Sequence, residues 1–302
     1  MPSPTRILIT GSNGLVGREL IRAFANGNFT VFATSSSPDK IQQPGVDFHQ
    51  LDITNREGIF NLIEQLNPSV VIHSAAISAP DVCETDKQLC NRVNIEGTRN
   101  VADACKAVGA AMLFISTDFV FSGSAGPYKE DDAPSAVSYY GLSKLAGETI
   151  VKNTVSNWAI VRTVLVYGDT VGLNRSNFVT WVKTSLEKGE KIRVVNDQYR
   201  TPTYAPDLAW GIVKATDWLL AGKGNDIWHL SGPQPLVSVY DMALQIAAFY
   251  GLDNTLIEPI ASASLNQPAR RPPVTGFVLD KASKYLNYNP IQFTNGLKKL
   301  NL

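Results

Sequence analysis

The chain has 302 residues, 44% of them hydrophobic, with 27 basic and 27 acidic side chains. That length fits one large domain or two smaller ones, and the apolar share is enough for a packed core. The even charge balance gives no footprint for a nucleic acid or a membrane surface, and no apolar run approaches the roughly 18 residues of a membrane span.

In chain order, RILIT (6–10) is a short apolar run that ends in a glycine-rich turn; it reads as a strand and is too short for a secretory leader. GLVGRELIRAFANG then places Val16, Leu20 and Phe24 at helical spacing. TVFAT (30–34) is a second strand, REGIFNLIEQLN an amphipathic helix stopped by Pro68, and SVVIHSAA a further strand. NRVNIEGTRNVADACKAVG is a long helix, AMLFIST a strand, YYGLSKLAGETIVKN a helix and WAIVRTVLVYG another buried strand. Short apolar strands alternating with helices predict a parallel α/β sheet covered on both faces.

After residue 168 the pattern loosens into helix (SNFVTWVKTSLEKG), strand (KIRVV), helix (APDLAWGIVKATDWLLAG), strand (DIWHLSG) and a proline-punctuated tail. The expected division is a sheet domain over 1–168, to which 204–232 return, and a smaller lobe from 169–203 and 233–302. Cys83, Cys90 and Cys105 lack CxxC spacing, and an odd number excludes a complete disulfide framework, which points to a reduced, cytoplasmic protein. Cys83 and Cys90, seven apart, fit one helix face without a metal pattern. His49, His73 and His229 lie in separate segments and read as structural.

The first chemical motif is GSNGLVG, with Gly11, Gly14 and Gly17, and with Asn13 and Leu15 between them. It follows a strand and opens a helix, where glycines permit a tight turn, close approach of a pyrophosphate and free N–H groups aimed at it. The second strand ends in Thr34 and Ser35 to Ser37 with no acid to bind a ribose 2′-hydroxyl. Hydroxyls leave room for a 2′-phosphate, which Arg18 or Lys40 would neutralise, so NADPH is favoured, with NADH as the alternative. Asp52, followed by Ile53, either accepts from the adenine amino group or caps a helix near Thr54.

Tyr140 and Lys144 stand four apart and share a helix face; Tyr139 does not. A free phenol titrates near ~10, and an adjacent ammonium lowers that value. Such a phenol can protonate a carbonyl oxygen while hydride reaches the carbon. Thr117, at the end of LFIST, offers a hydroxyl at the sheet edge where ligands of open parallel sheets bind.

The ordered set TGSNGLVG, LDIT, VIHSAA, NIEGTRN, FISTDFVFSG, YYGLSK and VRTVLVYG resembles the extended short-chain dehydrogenase/reductases, which carry a Rossmann-type doubly wound sheet and a smaller C-terminal substrate lobe. The resemblance implies a catalytic Tyr140, Lys144 and Thr117. It implies Asn94 in the helix beneath the cofactor, and Ala75 and Ala76 as the small residues on which the nicotinamide half lies. Further segments, including GPYKEDDAP, RVVNDQYRTPTYAPDLA and RRPPVTGFVLD, look like dTDP-4-dehydrorhamnose reductases, which reduce a 4-keto deoxysugar nucleotide. Asp118, Val120, Leu165, Arg200 and Arg271 then fall on the substrate side. Leu165 replaces a tryptophan of that pattern, which removes part of a sugar platform. The partners expected are a nucleotide sugar and a second copy in a homodimer. The same pattern covers regulatory subunits of methionine adenosyltransferase, so a non-catalytic NADP-binding role stays open, as does an epimerase or dehydratase. Dehydratases of this kind carry Asp-Glu after the catalytic hydroxyl, whereas Phe119 follows Asp118 here.

Overall fold

The computed structural model describes residues 4–170, 172 and 176–302. The first half runs β1 (Thr5–Thr10), α1 (Leu15–Ala25), β2 (Phe29–Ser35), β3 (Val46–Gln50), α2 (Arg56–Leu66), β4 (Val70–His73), the short α3 (Pro80–Thr85) and α4 (Lys87–Cys90), α5 (Gly97–Val108), β5 (Ala111–Thr117), α6 (Tyr139–Thr154) and β6 (Trp158–Thr163). The second half runs β7 (Val166–Tyr167), α7 (Phe178–Glu187), β8 (Ile192–Val195), β9 (Tyr199–Arg200), β10 (Thr203–Tyr204), α8 (Ala205–Leu220), β11 (Asp226–His229), β12 (Val237–Ser238), α9 (Val239–Tyr250), β13 (Ile257–Ile260), α10 (Asp280–Leu286) and α11 (Phe293–Leu297).

Seven strands form one parallel sheet in the order β11-β6-β5-β4-β1-β2-β3. This is the doubly wound Rossmann arrangement, extended by β11. Because side chains alternate along a strand, an apolar strand covered on both faces feeds two cores. Ile7 and Ile9 of β1 and Leu113 of β5 join the core under α1 and α8, whereas Leu8 of β1 and Phe114 of β5 join the core under α2, α5 and α6. A third core belongs to the later elements: Val179 and Val182 of α7, Ile192 of β8, and Met242 and Ile246 of α9 pack together.

Three local features differ from the sequence expectation. The run 158–168 is two strands: the chain turns at Leu165, whose φ of 32° lies in the left-handed region. An uninterrupted apolar run carries no mark of such a break. The helix expected over 91–109 begins as a π-helix, Asn91–Glu96, before α5. Cys83 and Cys90 sit on two separate short helices, and their sulfurs meet at one amide, Asn94 Nδ2, at 3.8 and 3.5 Å. Among the described residues, no helix is long and apolar enough to cross a membrane.

His73 ends β4 fully buried, bonded to Thr10 Oγ1 at 2.8 Å through Nδ1 and to Thr98 Oγ1 at 3.1 Å through Nε2. Burial, assisted by the positive charge of Lys144, lowers its pKa to about 3. The unfolded imidazole takes up a proton near 6.5, so the folded state loses stability as pH falls from about 6.5 to about 3. His73→Gln, which cannot titrate, is expected to show a smaller drop in thermal midpoint between pH 7 and pH 4 than the natural protein. An equal drop would place the acid sensitivity elsewhere.

Candidate active site

A cavity of about 1130 Å³ runs along the carboxyl ends of the strands and into the later elements. That exceeds the ~300–1,000 Å³ of a typical single-ligand pocket. Gly11, Asn13, Gly14, Leu15, Thr34 and Ser35 line its β1–β2 side, and Asp52, Ile53, Ala75 and Ala76 continue the wall. Thr117, Asp118, Tyr140 and Lys144 lie in the middle, with Leu165, Arg200 and Arg271 toward the later elements. Gly17, Asn94 and Val120 stand outside the lining.

Two glycines of the turn, Gly11 and Gly17, are there for space. A Cβ on Gly11 would lie 2.7 Å from the Ala75 backbone, and one on Gly17 would lie 2.3 Å from Gly11 O. Gly17 therefore acts from behind, letting α1 close on the turn. No side chain caps α1 at Gly14, so its first N–H groups face the cavity unmatched. Asn13 ties this turn to the loop after β2, donating to Ser37 Oγ at 2.9 Å and Pro38 O at 2.8 Å and accepting from Lys40 N at 3.1 Å. Lys40 is exposed beside Ser35 and Ser36 in the cavity wall, whereas Arg18 is buried and donates to Asp169 O. Of the two cations considered for a 2′-phosphate, Lys40 is the one that lines the cavity. Asp52 accepts from Thr54 N at 2.9 Å, while Asn55 is the residue that caps α2.

The hydroxyl and the phenol come from two elements. Thr117 ends β5; its Oγ1 donates to Asp118 Oδ1 at 2.9 Å and accepts from Phe119 N at 3.2 Å. Ser138 caps α6 by accepting from Gly141 N at 3.3 Å, which fixes where the helix starts. Tyr140 then packs edge-on against Phe119, with ring centroids 5.7 Å apart. A Cβ on Gly141 would lie 2.1 Å from Phe119 O, so only glycine lets α6 approach this turn. Tyr139 faces away, donating to Asn91 Oδ1 at 2.8 Å, and lines no part of the cavity.

Lys144 is buried with Nζ 4.1 Å from the centroid of the Phe114 ring. Burial lowers its pKa to about 7, against the opposing pull of Glu148, Cys83 and Cys90. Burial also pushes the Tyr140 phenol up, and the Thr117 hydroxyl is the neighbour that opposes the rise. The phenol is thus kept protonated, the state a proton donor requires; the lowering expected from Lys144 is not what dominates. Asn94 makes no wall: its Oδ1 accepts from Ile77 N at 2.8 Å and its Nδ2 donates to Ser143 Oγ at 3.0 Å, joining the loop after β4 to α6.

Toward the later elements, Asp118 accepts from Thr275 Oγ1 and lies 4.0 Å from Arg200 Nε. Burial raises the Asp118 carboxyl and lowers Arg200. Arg200 donates to Pro272 O at 2.7 Å and Pro273 O at 3.1 Å. Arg271 makes a two-pronged ion pair with Asp81 of α3, at 3.1 and 2.7 Å. Both arginines cross-tie segments around the cavity. Val120 is packed with Phe121, Tyr128 and Phe277. Sequence reasoning missed Trp181, Arg193 and Gln198, which also line the cavity; the exposure of Arg193 between buried neighbours on β8 is the alternation that marks it.

Gly141→Ala is expected to destabilise the protein by about 1–3 kcal/mol, the usual cost of overpacking, in chemical denaturation. An unchanged midpoint would mean that α6 does not bear on the 117–120 turn.

The family model described as the RmlD substrate binding domain matches residues 5–301. A dTDP-4-dehydrorhamnose reductase from Aggregatibacter actinomycetemcomitans is 31% identical over 304 residues, covering 98% of both chains. The methionine adenosyltransferase 2 subunit beta of Xenopus tropicalis is 28% identical over 266 residues, 88% of this chain and 78% of the relative. The crystal structure of dTDP-4-dehydrorhamnose reductase from Bacillus anthracis in complex with NADP superposes with a TM-score of 0.83 at 28% identity, covering 98% of both chains.

Proposed function

Because the chain belongs to the RmlD substrate binding domain family, we propose that it is an NADPH-dependent reductase of a 4-keto deoxysugar nucleotide. The observation that carries this reading is a single cavity lined by both the uncapped glycine turn and by Thr117, Tyr140 and Lys144. The cofactor fits the residues present: the Gly11 and Gly17 positions leave no room for a Cβ, the α1 N-terminus offers N–H donors to a pyrophosphate, and Ser35, Ser36 and Lys40 suit a 2′-phosphate. When bound, NADPH supplies the hydride.

The chain supplies orientation and the proton. When substrate is bound, Thr117 Oγ1 turns its one proton from Asp118 Oδ1 to the substrate carbonyl oxygen and holds that oxygen toward Tyr140. The phenol of Tyr140 donates its proton to that oxygen as the carbon is reduced, a general-acid step. Lys144 stabilises the resulting phenolate and bonds the nicotinamide ribose. Asn94 keeps the loop at Ile77 in place, so Ala75 and Ala76 present a small surface to the cofactor. Asp118 is engaged by Thr117 and Thr275, which supports a role in orienting Thr117 over a dehydratase-type acid reaching into the substrate.

Oxidation of NADPH measured against a panel of 4-keto nucleotide sugars, with NADH in parallel, tests the reading. Tyr140→Phe is expected to abolish turnover and leave the NADPH dissociation constant nearly unchanged; full turnover in this variant sinks the assignment. Lys40→Glu is expected to weaken NADPH by about tenfold or more while changing NADH little, since only the former carries the extra phosphate. Equal effects on both cofactors would remove Lys40 from the phosphate site.

The similarity to the adenosyltransferase subunit favours a second reading, a regulatory NADP-binding protein without turnover. Cofactor binding with no oxidation across the whole panel would select it.

A further inference from the structure

Glu148 lies on α6, one turn after Lys144, and is 1% exposed. Its carboxylate joins three elements. Oε1 accepts from Ser116 Oγ on β5 at 2.6 Å and from Arg162 Nε on β6 at 2.9 Å, and Oε2 accepts from Arg162 Nη2 at 2.8 Å. Ser116 immediately precedes Thr117. Arg162 is also 1% exposed, and its Nη1 lies 3.4 Å from His229 Nε2 on β11. Burial and the Arg162 charge hold His229 well below its ordinary value, so it brings no second cation.

We infer that Glu148 is a positioning residue for the proposed reduction, setting Thr117 against Tyr140 and placing a negative charge beside Lys144. The inference rests on the reading of Thr117, Tyr140 and Lys144 as the reacting groups. A buried ion pair is weak as a source of stability, because desolvation consumes most of its Coulomb energy. Its geometry, however, is directional. A carboxylate with three accepted hydrogen bonds fixes both strands against the helix to within the tolerance of those bonds. Tyr140, Lys144 and Glu148 follow one another at four-residue steps on one stripe of α6. The bond to Ser116 therefore sets the distance from that stripe to the end of β5, and with it the gap between phenol and hydroxyl.

The same carboxylate answers the cost of burying Lys144. The groups that bear on that amine are Cys83 from α3, Cys90 from α4, His73 from β4, the Phe114 ring from β5 and Glu148 from its own helix, with Arg162 behind Glu148. Glu148 is the one carboxylate among them. Removing its charge leaves the amine in an apolar, partly cationic setting and favours the neutral form. A neutral Lys144 stabilises a Tyr140 phenolate less.

The test uses the full chain with lysine side chains labelled at Cε for NMR, and the Lys144 signal assigned by its loss in Lys144→Arg. This titration is read without substrate, so a wrong choice of sugar does not affect it. In Glu148→Gln the Lys144 midpoint is expected to move toward acid by about one pH unit. On a substrate that is turned over, kcat is expected to fall about ten- to a hundredfold and its pH profile to move the same way, with the NADPH dissociation constant changing less than about twofold. Because this variant leaves Arg162 unpaired, the double variant Glu148→Gln/Arg162→Met is run beside it; it removes both charges and should show a smaller shift in the same direction with the same loss of kcat. A folded variant with Lys144 at its natural midpoint overturns the charge role. A double variant with natural kcat, or one whose kcat and cofactor affinity fall together, overturns the positioning role.

Discussion

Helix α6 lies on strand β5 and the turn that follows it through two glycines, and the middle of the cavity depends on that contact. A Cβ on Gly147 would lie 2.6 Å from the Phe114 ring, and one on Gly141 would lie 2.1 Å from the Phe119 carbonyl. Both glycines sit on the face that carries Lys144, so closeness and chemistry are set together. Glycine in a helix interior costs roughly 0.5–1 kcal/mol relative to alanine. Here that cost allows a phenol and an ammonium on a helix to share a site with a hydroxyl on a strand. A wider spacing would leave the phenol and the hydroxyl within one fold but too far apart to meet at one atom.

The cations near the substrate side are tied by protein groups. Arg200 is directed at the carbonyls of Pro272 and Pro273, and Arg271 at Asp81. Together they hold the 269–275 segment between α3 and β9 at the cavity wall. An Arg fork is well suited to this task, since its rigid plane satisfies two acceptors at once. The raised carboxyl of Asp118 lies at the inner end of the same segment, through Thr275. The segment therefore connects the outer wall of the cavity directly to the residue that bonds Thr117.

Much of this was legible in the sequence because it is local. Gly11, Gly14 and Gly17 occur within seven residues between a strand and a helix, and Tyr140 and Lys144 stand one turn apart, so spacing alone puts them on shared surfaces. That the sheet is covered on both faces follows from its continuous apolar strands, as Leu8 and Ile9 feeding opposite cores illustrates. What escaped is what three segments make jointly. Glu148, Ser116 and Arg162 are far apart in the chain, and each alone reads as a polar residue on an otherwise ordinary element. The turn at Leu165 escaped because it interrupts an apolar run without glycine or proline. Its left-handed φ is imposed by the surrounding packing, with Thr203 N bonded to Leu165 O at 3.1 Å. Arg200 and Arg271 are named from the sequence, but the acceptors they face come from distant segments and could not be read there.

The last strand of the sheet has a consequence for how the protein is made. β11 pairs with β6, and α8, which precedes it, packs on α1. Between β6 and α8 the ribosome must deliver α7 and β8, whose apolar faces belong to the other core. The sheet is therefore completed only after the elements of the third core have begun to appear, and that core only after the sheet has closed. Neither group of elements is a contiguous length of chain, so no single cut separates the seven-stranded sheet from the third core. Translation has to hold an open sheet edge and an unfinished third core side by side until residue 229 has emerged.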